Sequence, residues 1–329
     1  MVETKHMTKT SNRINAGQLI MKNNILTGLT SGFVSAIMFI SAAQGHVLGV
    51  LFFTFLAPLP IIITGLGWGW ISSAISAMTA ASTIAILVNP LAATHHILGV
   101  GLPMAICSYM LMLSREYPTD NHNDVLTEWY PPGRVLSLLT LIAGLLAAVS
   151  LLSFAGTERE LQTIILERID TFGLELPNEI DPNNFAVFVS KSFTPALAIF
   201  WMTVACLNLW LGGLITDVSG RLRRPWPDLT NMTIPRETPL IMIISIGGSL
   251  LGGYPGLIAL GFTGAIFFAY FIIGLAIIHN VTRQLSARIV ILIIVYTALF
   301  LLHPYSSFVV SLLGITEPLL PIRRRFKKI

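Results

Sequence analysis

The chain has 329 residues, 54% hydrophobic and only 11% charged, with a net charge of +4 and a mean hydropathy of +0.76. Soluble domains carry roughly 25% charged residues, so this chain lacks the polar surface to face water and reads as a membrane protein. Its basic residues sit at the ends of apolar runs, where topology and lipid headgroups account for them; nucleic acid is not an expected partner.

Residues 1–22 are polar and basic (Lys5, Lys9, Arg13, Lys22) and read as a cytoplasmic tail. The apolar run that follows is longer than the core of a signal peptide, so an uncleaved first helix is expected. Residues 23–114 contain no Asp, Glu, Lys or Arg, 92 in a row, enough for four crossings of about 20 residues each. Hydropathy and the Pro, Gly and Asn punctuation place spans at 25–44, 47–64, 68–88, 96–113, 135–155, 196–215, 239–254, 256–278 and 289–302. A weaker tenth segment, 308–320, contains Glu317-Pro318 and either crosses or re-enters. These runs lack the period-2 alternation of barrel strands. The expected fold is all-α: a polytopic transmembrane helical bundle of nine or ten segments, one domain over 23–321, with a basic tail at 322–329.

Arginines and lysines fall on alternate loops: the N-terminal tail, Arg115 and Arg134, Arg221 to Arg236, Arg283 and Arg288, and Arg323 to Lys328. The positive-inside rule puts these, and the N-terminus, in the cytoplasm of a bacterial inner membrane. The opposite loop 156–193 is acidic. Within it Leu161, Ile164, Ile165, Ile169 and Phe172 share a helical face. Thr157 with Glu160 forms a capping-box pattern and Gly173 a stop. A second short helix is expected from Asp181-Pro182. This loop either lies flat on the membrane or caps a cavity.

Candidate binding residues follow from what hydrocarbon does not tolerate. Asn208 is the most polar side chain inside any span and must face other helices. Pro58 and Pro60 break the second span and free backbone carbonyls, as in many transporter sites; Thr64 lies one turn on. The basic residues Arg221, Arg223, Arg224, Arg323, Arg324 and Arg325 are expected to face lipid or a partner. Asp217 is placed to pair with Arg221, and Trp226 sits at headgroup depth. Gly65 with Gly69, and Gly248, Gly252 and Gly256, read as close-packing pairs. His46, His95, His96 and His303 map to the outer boundary without metal-ligand spacing, and Cys107 and Cys206 are isolated. No metal, cofactor or catalytic residue is expected: no Walker A loop, HExxH, GxSxG or intramembrane carboxylate pair occurs.

The stretches 207–235 ("LNLWLGG…SGRLRRPWPDLTNMTIP"), 274–283, 308–326 and 57–69 resemble a YybS-like family of bacterial inner-membrane proteins, in its alphaproteobacterial branch. The resemblance implies a polytopic membrane protein with no established activity. The family is distantly similar to the substrate-binding subunits of energy-coupling-factor vitamin transporters, an analogy of fold alone. Two readings follow. In one, the protein binds or transports a small, vitamin-like or otherwise weakly charged solute, with any ATPase a separate partner. In the other, it is a non-transporting scaffold or assembly factor that grips lipid or a cytoplasmic protein through its basic loops. Neither is an enzyme.

Overall fold

Proline and glycine decide where the apolar runs of this chain stop being helix. The computed structural model describes residues 3–44, 47–118, 125–173, 176–177, 179–318 and 320–326. In chain order the helices are α1 (Glu3–Gln44), α2 (Val47–Leu56), α3 (Leu59–Trp68), α4 (Trp70–Leu87), α5 (Pro90–His96), α6 (Leu102–Leu111), α7 (Pro132–Phe154) and α8 (Glu158–Thr171). They continue with α9 (Pro182–Val218), α10 (Thr238–Ser249), α11 (Gly253–Val281), α12 (Arg288–Leu301), α13 (Tyr305–Thr316) and α14 (Ile322–Phe326). The chain is about 80% helical. Among the described residues six helices are long and apolar enough to cross a membrane: Met21–Ser41, Trp70–Leu87, Pro90–Leu111, Pro132–Phe154, Pro182–Val218 and Gly253–Gln284. The other expected segments are apolar helices of 10–17 residues.

Several expectations change. The tail expected over 1–22 is helical from Glu3. Segment 68–88 begins only after Gly69, which terminates α3 at φ 102°, a left-handed conformation that suits glycine. Gly69 is therefore a turn, not half of a packing pair. Gly252, at φ 68°, likewise turns the chain between α10 and α11. The helix expected from Asp181-Pro182 and the span expected over 196–215 are one helix, α9, which passes through Pro195. The loop between α6 and α7 carries an antiparallel hairpin, β1 (Ser114–Pro118) with β2 (Val125–Trp129), registered as Arg115 opposite Glu128. Its short strands of mixed polarity carry no hydropathy signal.

The chain divides into two compact units, Met1–Tyr130 with Val204–Trp226, and Pro131–Thr203 with Pro227–Ile329. In the first unit α1 lies along α4. Gly28 and Gly32 face the α4 backbone at Ser72 and Ser76 with no room for a side chain, and the Ser31 hydroxyl donates to Ser76 Oγ over 2.8 Å. This small-xxx-small pair works as such pairs do in apolar surroundings, by letting backbones approach. Helix α5 runs through a π-helical turn, Ile97–Gly101, into α6, so residues 90–111 form one apolar rod.

In the second unit α11 is the central helix. Gly144 of α7 receives the Phe262 ring, Gly261 meets Ala147 and Thr194, and Gly264 meets Pro195. The Thr194 hydroxyl donates to Leu257 O over 2.5 Å. Gly274 of α11 and Gly314 of α13 each press on the other helix's backbone, at Val310 and Tyr270. Phe267 and Phe308 stack edge to face at 5.1 Å earlier in both helices, so α11 and α13 run in the same direction. Helix α8 begins with its capping box: Thr157 Oγ1 accepts from Glu160 N, and the Glu160 carboxylate accepts from Gly156 N. Gly173 ends it at φ 57°. Leu161 packs with Leu151, Ala155 and Leu257, so α8 lies on the ends of α7 and α11; its Phe172 is exposed.

The glycine contacts make a direct prediction. Gly274→Ala and Gly314→Ala each force a Cβ into the opposing backbone and should destabilise the protein by about 1–3 kcal/mol. Gly247→Ala meets open space and should leave the unfolding midpoint in detergent unchanged or slightly raised. Equal midpoints for all three would show that α13 is not seated on α11 as described.

Candidate functional site

Pro58 and Pro60 lack N–H groups, so the carbonyls of Thr54 and Leu56 have no helical donor. Helix α2 stops at Leu56 and α3 starts at Leu59. Side chains from three other helices converge on the turn between them. The Asn208 amide of α9 donates to Phe55 O at 2.5 Å and, within its own helix, to Val204 O at 2.8 Å. Ser35 Oγ of α1 donates to Ala57 O at 2.7 Å. Ser73 Oγ of α4 donates to Ile61 O at 3.1 Å and lies 3.4 Å from Ser108 Oγ of α6. Thr64, on α3 itself, donates back to Pro60 O over 2.7 Å. Asn208, Ser35, Ser73 and Ser108 are all fully buried.

Behind Ser35 stands a residue the sequence did not single out as central. His96 was expected at the membrane boundary. Because α5 begins at Pro90, with Asn89 Oδ1 accepting from Ala92 N, His96 instead lies nearly two turns inside the rod and is fully buried. Its Nε2 is 3.2 Å from Ser35 Oγ, and Phe39 meets its ring edge-on at 5.1 Å. Ser35 has one proton and gives it to Ala57 O. The contact with His96 then runs from Nε2–H to Ser35 Oγ, and in a ring kept neutral by its full burial this leaves Nδ1 as a bare acceptor. Among the described residues His96 Nδ1 has no hydrogen-bond donor, and neither has Asn208 Oδ1. Two buried acceptors thus flank one broken turn. A π-helical turn, a feature that recurs at functional sites, follows His96 directly.

Of the other histidines, His46 lies outside the described residues. His303 contacts Ser307 on α13, and no three His, Cys, Asp or Glu side chains group as a metal site among the described residues. An apolar groove of about 560 Å³ runs between α1 and α4, lined by Leu29, Phe33, Ile75 and Met78; Pro58, Pro60, Thr64 and Asn208 do not line it.

The basic residues divide by burial. In the first unit Arg224 is buried and donates through Nη1 to Leu111 O at 2.8 Å and Tyr130 O at 3.4 Å, with its guanidinium 5.7 Å from the Trp129 ring. Burial pushes its pKa down, but an arginine remains charged. Arg221 is exposed and sits 4.3 Å over the Trp68 ring; it makes no ion pair with Asp217 among the described residues. Arg223 is exposed, and Trp226 lies against Gly213. In the second unit Arg323 is buried, donates to Met232 O at 3.0 Å and pairs with Glu317 at 3.9 Å; burial lowers its pKa and Glu317 opposes that. Arg324 and Arg325 are exposed. Asp228 is held below the usual carboxylate range chiefly by the Thr230 hydroxyl, at 2.6 Å, and it pairs with Arg283 at 3.5 Å.

No protein-family model, curated protein or solved structure matches this chain. The resemblance carried by residues 207–235 and the shorter stretches rests on those residues alone.

Ser35 is the hinge of the polar cluster, since it serves Ala57 O and His96 at once. Ser35→Ala leaves both without that partner and should destabilise the protein by about 1–3 kcal/mol. Thr83→Ala, which removes only a bond to its own helix at Thr79 O, should cost well under half of that. Chemical denaturation in a fixed detergent reads the difference, and equal losses would remove Ser35 from this role.

Proposed function

We propose that this is a multi-pass inner-membrane protein of nine or ten segments that binds, and moves or presents, a small uncharged solute at the broken turn between α2 and α3. The observation that carries the reading is the pair of buried acceptors, Asn208 Oδ1 and His96 Nδ1, on side chains linked to that turn, the first bonded to Phe55 O and the second reaching Ala57 O through Ser35. A buried acceptor without a donor costs about 1–3 kcal/mol, and broken helices inside a bilayer are tolerated where they pack in protein or line a cavity. A solute with two hydroxyl or amide donors and no net charge matches the pair. The YybS-like resemblance, with its distant likeness to vitamin-binding membrane subunits, points the same way, with any ATPase a separate chain.

The cytoplasmic assignment of the basic loops has support within each unit. In the first, Arg221 and Arg224 meet the C-terminal ends of α3 and α6. In the second, the 3-10 turn Leu229–Asn231 meets Asn280 near the end of α11, Thr233 meets Gly133 at the start of α7, and Arg323 returns to Met232. Loops expected on one side therefore gather at one end in each unit. The parallel run of α13 with α11 favours a tenth segment that returns its basic tail to that side.

Protein purified with native lipids should carry a solute adduct in native mass spectrometry. A panel of uncharged polyols, amides and vitamins should contain compounds that raise its unfolding midpoint. Asn208→Leu and His96→Phe remove one acceptor each, and each should weaken the binding of such a compound roughly tenfold, the equivalent of about 1.4 kcal/mol. A stabilising compound whose affinity is the same in both variants as in the parent protein would place its site elsewhere and end this reading.

A further inference from the structure

A second feature of the first unit lies away from the broken turn. Helix α9 ends in a tight turn in which the Arg221 and Leu222 amides both donate to Thr216 O, at 2.9 and 3.0 Å, and Gly220 adopts φ 66°. Two hydrogen bonds to one carbonyl through a left-handed glycine form a rigid helix stop, so the arginines that follow are held in place. Arg224 is the inner anchor: it is 7% exposed and bonded to Leu111 O and Tyr130 O, and among the described residues its Nε has no partner. Arg221 crosses the last turn of α3 at Gly67 and lays its guanidinium on Trp68. Among the described residues no carboxylate pairs with Arg221, Arg223 or Arg224.

The surroundings add an independent observation. Trp68, Trp70, Tyr109, Trp129 and Trp226 all lie at the ends of α3, α4, α6, β2 and the α9 extension, and Trp70, Tyr109 and Trp226 are exposed. Trp70 and Tyr109 meet edge-on at 6.2 Å. The opposite ends of α1 and α4 are built from Gln44, Leu87 and Asn89 without Trp or Tyr. Such a one-ended belt of amphipathic rings marks headgroup depth. Guanidinium groups match phosphate oxygens in charge and planar geometry, and a stacked guanidinium keeps its N–H edge available to a ligand.

We propose that this end of the first unit is a site for the phosphate of an anionic phospholipid headgroup, with Arg221 on Trp68 as the principal contact and Arg223 as the second. It is independent of the solute reading. The full chain is reconstituted in nanodiscs of phosphatidylcholine alone or with phosphatidylglycerol, and lipid retention is measured by native mass spectrometry after release. Wild-type protein should retain phosphatidylglycerol in preference to phosphatidylcholine. Every arginine near an anionic surface adds general attraction, and one held against a phosphate adds a charge-assisted contact besides, so R221Q/R223Q should lose about 25-fold in that preference, roughly 1 kcal/mol for each such contact. R324Q/R325Q, which removes the same charge from the second unit, should lose far less. Unfolding midpoints in phosphatidylcholine alone check that both variants are folded. Equal losses in the two double variants, or no preference in the wild type, would overturn the proposal. Stabilisation by inorganic phosphate to the same extent as by phosphatidylglycerol would also overturn it, in favour of a soluble phosphate ligand.

Discussion

The constraint on which this structure depends is that a backbone carbonyl inside an apolar helix bundle must find its donor within the protein. A continuous helix meets that demand locally. Where a helix is broken, a side chain on another helix can supply the donor. At 54–60 the donors are Asn208 and Ser35, with Ser73 serving the next turn at Ile61. Away from that break, Thr194, one residue ahead of the helix-breaking Pro195, also reaches across to another helix, at Leu257 O of α11. Most other serines and threonines spend their hydroxyls on a carbonyl three or four residues back in their own helix. The few that reach across therefore mark where the bundle is locked: Ser35 and Thr194 beside prolines, Ser31 at the glycine seam of α1 and α4.

That pattern explains what could be read from the sequence. The apolar runs located each helix because length and composition are local properties. Pro58 and Pro60 located the break for the same reason, and Asn208 stood out because an amide in hydrocarbon needs partners. Its partner Phe55, 153 residues away, was not legible, since no local pattern encodes which carbonyl an amide will meet. His96 falls at a boundary in the hydropathy pattern for a related reason: Asn89-Pro90 can end one helix or cap the next, and a span drawn over 96–113 starts six residues after Pro90, where the helix begins. Once the start is Pro90, the same histidine is interior and the cluster with Ser35 follows. The α1–α4 seam was also present as Gly28-xxx-Gly32 but is indistinguishable in composition from glycines that merely turn the chain, such as Gly69 and Gly252.

Pro195 shows the converse. A proline inside a helix removes one hydrogen bond and usually kinks or stops it, and a boundary there was the natural expectation. The helix continues because the disturbed side of the turn is occupied: Gly264 of α11 presents its bare backbone to the proline ring, and Thr194 fixes the adjacent turn to Leu257. The proline makes a contact surface here instead of an end, and only the glycine opposite it, in a segment 69 positions later in the chain, decides between the two.

The arginines bring topology and packing together. The statistical bias of basic residues toward one side of a membrane says where a loop lies, not what its side chains do. In the first unit Arg224 closes the C-terminal end of α6 at Leu111, where the helix dipole is negative and the last carbonyls lack donors. In the second, Arg323 supplies a donor to Met232 in an extended segment. Each is buried because its hydrogen-bonding work lies inside its unit, while Arg221, Arg223, Arg324 and Arg325 remain on the surface. Each basic cluster thus holds two populations: residues whose charge is absorbed by the protein's own carbonyls, and residues whose charge faces outward and is available to an anion. Burial, which sequence position alone does not reveal, separates them.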